Sequence, residues 1–207
     1  VSTREAPARR LSKGQRRAQL VEIGVRLVAA STFEDVSIDA VAAQAGIARS
    51  LLFHYFPTKR DFQVAVAEAA ADELLAATEP DESLPLEERL NDSLERFVAY
   101  VASRGPAFIS LVRGASGGDA ALQAVFDRAH DVVARRVLDG LDIAVERAKP
   151  MVQIALRGWV AFIEECVVVW LSQGGAAREE LVAVLQQALV AALGAADPAL
   201  EDPFGED

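Results

Sequence analysis

The chain is poor in the residues that build covalent or metal-held scaffolds: one cysteine, two histidines and one methionine in 207 residues. A single thiol, Cys166, cannot close an internal disulfide. With only His54 and His130 beside it there is no cluster at zinc-ligand spacing, so neither a metal nor a cofactor is expected. Long apolar runs are also missing. The longest, residues 160–171, is interrupted by Glu164 and Glu165 and falls short of the ~20 residues that span a bilayer. The basic start (Arg4, Arg9, Arg10, Lys13) leads into an amphipathic stretch rather than an apolar secretory core. A soluble, cytoplasmic protein with no membrane association is the expectation. Catalytic patterns are lacking too: there is no phosphate-cradling glycine loop and no nucleophile at base spacing. The adjacent Glu164 and Glu165 would point about 100° apart on a helix rather than at one substrate. An enzyme is therefore not expected, and a small α-helical enzyme remains only as the alternative reading.

What is present is apolar bulk and a divided charge. Hydrophobic residues make up 52% of the chain and charged ones 25%, enough for a sizeable core in one or two domains. Residues 1–60 carry ten Lys/Arg against five Asp/Glu, and residues 61–207 carry eleven against twenty-six, so a head of +5 sits on a body of −15. Such a division suits an anion-binding or nucleic-acid-binding head on an acidic body. A basic tail would account for residues 1–13, but Arg26, Arg49, Lys59 and Arg60 fall inside periodic segments.

Apolar residues recur at helical spacing nearly everywhere, with no sustained two-residue alternation, so the chain reads as all-α. Leu20, Ile23, Leu27 and Val28 share one face of a helix over residues 15–30, stopped by the polar cluster Ser31 to Asp35. Ser37 can cap a short helix carrying Ile38 and Val41. A second short helix, residues 49–55, ends before Pro57, and Thr58 can cap a longer one over residues 59–77. Further helices are expected over residues 86–103, 105–114, 120–140, 150–174 and 177–193, with an acidic frayed tail at 195–207. The expected domains are a basic arm (1–14), a three-helix head (15–60), a larger helical body (61–194) and that tail.

Two short helices joined through Gly46 and flanked by longer ones form a helix-turn-helix, whose second helix can enter a DNA major groove. Gly46 supplies the positive φ such a turn needs. Arg49 and Ser50, at the start of the second helix, can reach base edges, where the arginine fork suits guanine. His54, Tyr55 and Lys59 stand where hydroxyl, imidazole and ammonium commonly meet phosphate. An αα-hairpin with no nucleic-acid role uses the same spacing, and spacing alone leaves both open. Arg16 and Arg17 belong either to a DNA-following arm or to a solvated tail.

The run from Ile38 to Asp61, IDAVAAQAGIARSLLFHYFPTKRD, strongly resembles the N-terminal DNA-binding domain of the TetR family of bacterial transcriptional regulators. The resemblance covers residues 15–65, and the rest agrees in layout. It implies Gly46 as the turn glycine, Arg49 and Ser50 facing bases, and His54 and Tyr55 facing the backbone. Lys59 would clamp a phosphate, and Ser37 would both cap its helix and meet a phosphate. The chain departs from the family at Ala48, usually Ser or Thr, so this DNA-facing position lacks its customary cap. Phe53 stands where Tyr is common. The resemblance further implies a palindromic double-stranded operator, a homodimer and a small-molecule effector, so a ligand-responsive repressor is expected. Control by a protein partner is an alternative.

In the body, the helix from Pro150 has Val152, Leu156, Trp159, Ile163, Cys166 and Trp170 on one stripe and Arg157, Ala161, Glu164 and Val168 opposite, which predicts burial on both sides. Arg157 of one chain could oppose Glu164 of another across a two-fold axis; a snorkelling Arg and a rim Glu would fit as well. Leu181, Val184, Leu185, Ala188 and Ala192 form a second seam, and the family layout implies a four-helix dimer bundle from the two helices and their mates. Phe97, Tyr100, Phe108, Val112, Phe126, Trp159 and Phe162, with the polar Arg113, His130 and Glu165, are the candidate effector-binding residues. Aromatics at such spacing also serve as plain core. The short helix bounded by Gly105 and Gly114 is the expected lever between ligand and DNA.

Overall fold

A computed structural model describes residues 11–29 and 36–204. Among the described residues there are nine α-helices and no strand. The arm residues Arg4, Arg9 and Arg10, and the helix stop expected at Ser31 to Asp35, lie outside them, as do residues 205–207 of the tail. The helices are α1 (Lys13–Ala29), α2 (Ile38–Gln44), α3 (Arg49–Tyr55), α4 (Lys59–Ala77), α5 (Leu86–Ala102), α6 (Gly105–Ser116), α7 (Ala120–Gly140), α8 (Pro150–Gln173) and α9 (Arg178–Ala196). Short 3-10 turns occupy Val145–Arg147 and Pro198–Leu200.

Local chemistry sets the starts of the helices. Ser37 Oγ accepts from the Ala40 amide at 3.0 Å. Thr58 and Asp61 form a reciprocal capping box, with Asp61 N–H to Thr58 Oγ1 at 3.0 Å and Thr58 N–H to Asp61 Oδ2 at 2.9 Å. Asp119 accepts from the amides of Ala121 and Leu122 to start α7. Gly114, read from the sequence as the start of a break, lies inside α6 instead, and α9 runs three residues past the expected end at Leu193. A Cβ on Gly194 would sit 3.1 Å from the Glu201 backbone, so that glycine marks a close approach.

Two cores result. The first joins Leu20, Ile23 and Val28 of α1 to Val41, Leu52, Phe56, Phe62 and Val66, and extends into the body through Ala107 of α6 and Leu122 and Val125 of α7. Phe56 and Phe62 meet edge to face at 5.0 Å, each contributing ~1.5–3 kcal/mol by burial. The second is built from α5, α7, α8 and α9, including Val98, Val101, Leu156, Trp159, Val167, Leu185 and Leu189. The Trp159 indole N–H donates to the Leu185 carbonyl at 2.8 Å, fixing α8 on α9. By length and composition alone α9 is apolar enough to cross a membrane, which a search for uninterrupted runs passes over. Here Leu181, Val182, Leu185, Leu189 and Leu193 bury its inner face.

The C-terminal segment corrects the sequence reading. It does not fray after residue 194: Asp197 caps the final 3-10 turn and binds Lys149 Nζ at 2.8 Å, and Leu200 packs on the second core. Pro203 and Phe204 then reach the interior of the body. The reason is the flat surface at Gly194, which admits the Glu201 backbone.

The same logic applies between α1 and α4, where a Cβ on Gly24 would lie 2.5 Å from Val66 Cγ2 and 2.8 Å from Phe62 Cζ. Gly24→Ala should therefore lose about 1–3 kcal/mol by overpacking despite its better helix propensity. Urea denaturation checks this, and an unchanged or higher midpoint would show that the two helices can separate without cost.

Candidate DNA-reading head and interior cavity

The turn between α2 and α3 closes through a Schellman motif. Gly46 has φ +64°, its amide binds the Ala43 carbonyl at 3.1 Å, and the Ile47 amide binds the Ala42 carbonyl at 3.0 Å. Leu52 is fully buried beneath α3, which turns Arg49, Ser50 and His54 to the outside and leaves Tyr55 half-buried. Ala48 starts α3 with no side-chain cap. One residue the sequence reading missed stands at this face: Asp39 of α2 accepts from Arg49 Nη1 at 2.9 and 3.1 Å through its two oxygens. The pair is exposed and worth little to stability, yet it orients the guanidinium, which also lies 5.7 Å from the Phe53 ring centre. Arg17 stacks on Phe56 at 4.9 Å, and Arg16 Nη1 donates to Gln19 at 2.7 Å. Lys59 is exposed at the first turn of α4, and its neighbour Arg60 pairs with Asp119, tying α4 to the start of α7.

Behind this head lies a cavity of about 500 Å³, mostly apolar, lined by residues of α1 and of α4 to α9 and by Pro203 and Phe204. Of the expected effector-binding residues, Phe97, Tyr100, Phe108, Phe126, His130 and Trp159 line it. Val112, Arg113, Phe162 and Glu165 do not. The cavity wall of α6 ends at Leu111, Arg113 is exposed, and Phe162 and Glu165 lie on the exposed side of α8. Glu164, read from the sequence as an interface residue, instead lines the cavity and binds His130 Nε2 at 2.7 Å. Arg89, Ser93 and Arg136 line it as well and were missed, because polar residues on largely apolar stripes read as rim.

The expected dimer surface needs the larger correction. Val168, Leu181 and Leu185 are buried within the chain at 5%, 8% and 0% exposure. Arg157 binds Asp131 of its own chain at 2.8 Å. Since Glu164 faces inward, the crossed Arg157–Glu164 pair has no second partner on the surface. Ala161 and Val184 are exposed, while Ala188 and Ala192 are half-buried. The apolar face left open on α8 carries Met151, Ile154, Phe162 and Val169, beside Val184 of α9. It lies roughly a quarter turn from the expected stripe at 100° per residue.

The head and the body each match a known protein domain. Residues 20–66 match the domain described as "Bacterial regulatory proteins, tetR family", and residues 86–192 match "Tetracyclin repressor-like, C-terminal domain". The chain belongs to the TetR family of transcriptional regulators, DNA-binding proteins rather than enzymes. A solved tetR-family transcriptional regulator from Streptomyces coelicolor is 28% identical, with 94% of this chain and 88% of that one covered and a TM-score of 0.81. A TetR transcriptional regulator from Rhodococcus sp. RHA1 shares the fold at 19% identity (coverage 88% and 98%, TM-score 0.66). So does the fatty acid degradation regulator FadR from Bacillus halodurans at 16% identity (coverage 86% and 96%, TM-score 0.65). No curated protein matches the sequence.

Cys166 is half-buried on α8. Burial, with the Glu165 charge adding to it, pushes its thiol above the ordinary value. A raised value means less thiolate at neutral pH, so alkylation by iodoacetamide should be slower than for free cysteine and keep accelerating at pH values where free cysteine has levelled off. Labelling as fast as free cysteine at pH 7 would contradict the burial effect.

Proposed function

We propose that this chain is a cytoplasmic repressor that binds a palindromic operator as a homodimer and leaves it when a small apolar or amphipathic molecule occupies the interior cavity. The observation that carries this reading is the position of α6: Ala107 and Phe108 both line the cavity, while Ala107 is also buried in the core of the DNA-reading head. Val25 and Val28 of α1 belong to that core and also line the cavity, so a ligand there touches the head directly. A ligand shifts the DNA equilibrium only by its differential affinity for two arrangements, and a space walled by both units is where such a difference arises.

On this reading Arg49 and Ser50 meet base edges, with Ala48 beside them at the head of α3. Ser37, His54, Tyr55 and Lys59 meet phosphate, and Arg16 and Arg17 follow the backbone alongside. The exposed residues Met151, Ile154, Phe162 and Val169 on α8, with Val184 on α9, supply the apolar face that a second copy covers, and Ala161, Ala188 and Ala192 allow close helix approach. A two-fold dimer then sets two copies of α3 one DNA turn, or a multiple of it, apart.

Fluorescence anisotropy on an operator recovered by selection from random duplexes tests the head. Arg49→Ala should cost ~1–3 kcal/mol and relax sequence preference, whereas Lys59→Ala should weaken all sequences alike and reduce the salt slope by about one. Equal loss on every sequence from Arg49→Ala would remove its base-reading role. Sedimentation tests the dimer: Ile154→Arg should give a folded monomer at micromolar concentration, and a dimer undisturbed by that charge would place the interface elsewhere.

A further inference from the structure

The cavity wall carries buried polar atoms with no partner among the described residues: Arg89 Nε, Ser93 Oγ and Arg104 Nε. Along α5 the residues turned to the cavity include Arg89, Ser93, Phe97 and Tyr100, at the four- and three-residue intervals of one helix face. Arg89 and Tyr100 are eleven positions apart, about 16 Å along the axis. A space of about 500 Å³ drawn out over that length is narrow and suits a linear molecule better than a compact one. Its middle is apolar, with Phe97 and Phe108 edge to face at 6.1 Å and Trp159 across from α8.

One end asks for hydrogen-bond acceptors. Arg89 uses Nη2 on the carbonyls of Glu82 and Leu84, but its Nε is buried with no partner among the described residues, and so is Ser93 Oγ, one helical turn on. Arg136 of α7 reaches the Thr78 carbonyl and hydroxyl only at 3.3 and 3.5 Å. Among the described residues no carboxylate lies within 4.0 Å of it. Arg96 shows the contrast: it binds Asp92 and also the carbonyls of Ala77 and Glu79. Because Arg96 and Arg136 grip the same last turn of α4, Arg136 stands level with the Ser93–Arg96 turn of α5.

A half-buried guanidinium without a carboxylate is costly to keep, and burial pulls the Arg136 pKa below its ordinary value, with Glu79 only partly opposing this. Glu79, Glu82 and Asp139 at the rim are exposed to solvent, and Glu164, deeper in, already holds His130. The unmet demand of the interior is thus for an acceptor carrying negative charge. Arg104 likewise has a buried Nε with no partner among the described residues. Its guanidinium, however, is stacked over Tyr100 at 3.9 Å and donates to Ser103, and among the described residues no second arginine or hydroxyl with an unmet bond stands beside it as Ser93 and Arg136 stand beside Arg89.

We propose that the effector is a linear amphiphile with an anionic head, its carboxylate or equivalent held by Arg136, Ser93 and Arg89 and its chain lying along Phe97 and Trp159. This rests on the reading of the cavity as the effector site. A charge-assisted hydrogen bond is stronger where water has limited access, and Arg136 is half-buried in the cavity wall. A cationic head would meet the same guanidinium as a like charge.

The test uses the full chain and three ten-carbon probes that differ only in the head: decanoate, decanol and decyltrimethylammonium, each below its micelle concentration. Calorimetry gives Kd, and tryptophan fluorescence reports arrival beside Trp159. Decanoate should bind about tenfold or more tighter than decanol, with the ammonium weakest. Arg136→Met should bring decanoate down to the level of decanol while leaving decanol unchanged, and Arg136→Lys should keep part of the preference. Ser93→Ala, which removes only a hydroxyl, should reduce decanoate affinity alone and guards against a fold defect in the arginine variants. Equal binding of decanoate and decanol to the unaltered chain, or a preference that survives both Arg136→Met and Arg89→Met, overturns the head assignment and leaves the effector cavity standing. Failure of all three probes to bind overturns both.

Discussion

Adjacent residues of α6 belong to different interiors, and the rest of the structure is arranged around that fact. Ala107 is buried in the core shared with α1 and α4 under the reading head, and Phe108, about 100° further round the helix, packs on the second core, while both line the cavity. Close-packed interiors do not deform continuously; they shift between discrete arrangements. α6 packs on α7, α8 and α1, and Gly24 brings α1 and α4 into contact with no slack at Phe62 and Val66. α4 also carries the Thr58–Asp61 box that ends the turn after α3, so one helix joins the cavity wall to the head.

The reading head reaches its geometry with modest means. The Schellman closure at Gly46 fixes α2 against α3, and fully buried Leu52 sets which face of α3 looks outward. Where a capping hydroxyl is absent at Ala48, the exposed Asp39–Arg49 pair supplies orientation instead. Charge division supports the same end: a basic first quarter on an acidic body turns only the head toward a polyanion.

At the far end of the cavity, Lys149 and Asp197 anchor the chain terminus, and the Lys149 ammonium holds the Asp197 carboxyl below its ordinary value. Gly194 lets the following backbone lie flat on α9, and Phe204 completes the wall. α6 beneath the head and the terminal segment thus both contribute to the wall of the cavity.

The sequence by itself determined the helices, their order and the reading head. Periodicity, caps at Ser37 and Thr58 and the positive φ at Gly46 are local properties, governed by residues within one or two turns. The inward stripe of α8 from Val152 to Trp170 was legible for the same reason. What only the tertiary structure decided is which apolar surface meets what. On a helix that is apolar nearly all round, periodicity cannot tell the wall of a cavity from a face left open. Glu164 therefore turned inward to His130, Leu181 and Leu185 went to the core, and Phe162 went to the surface. The continuation of α9 past Leu193 was not legible because the role of Gly194, the approach of the Glu201 backbone, lies in another segment of the chain. Arg136 shows no sign in sequence of lacking a carboxylate, since that depends on α4, α5 and α7 meeting at one place in space.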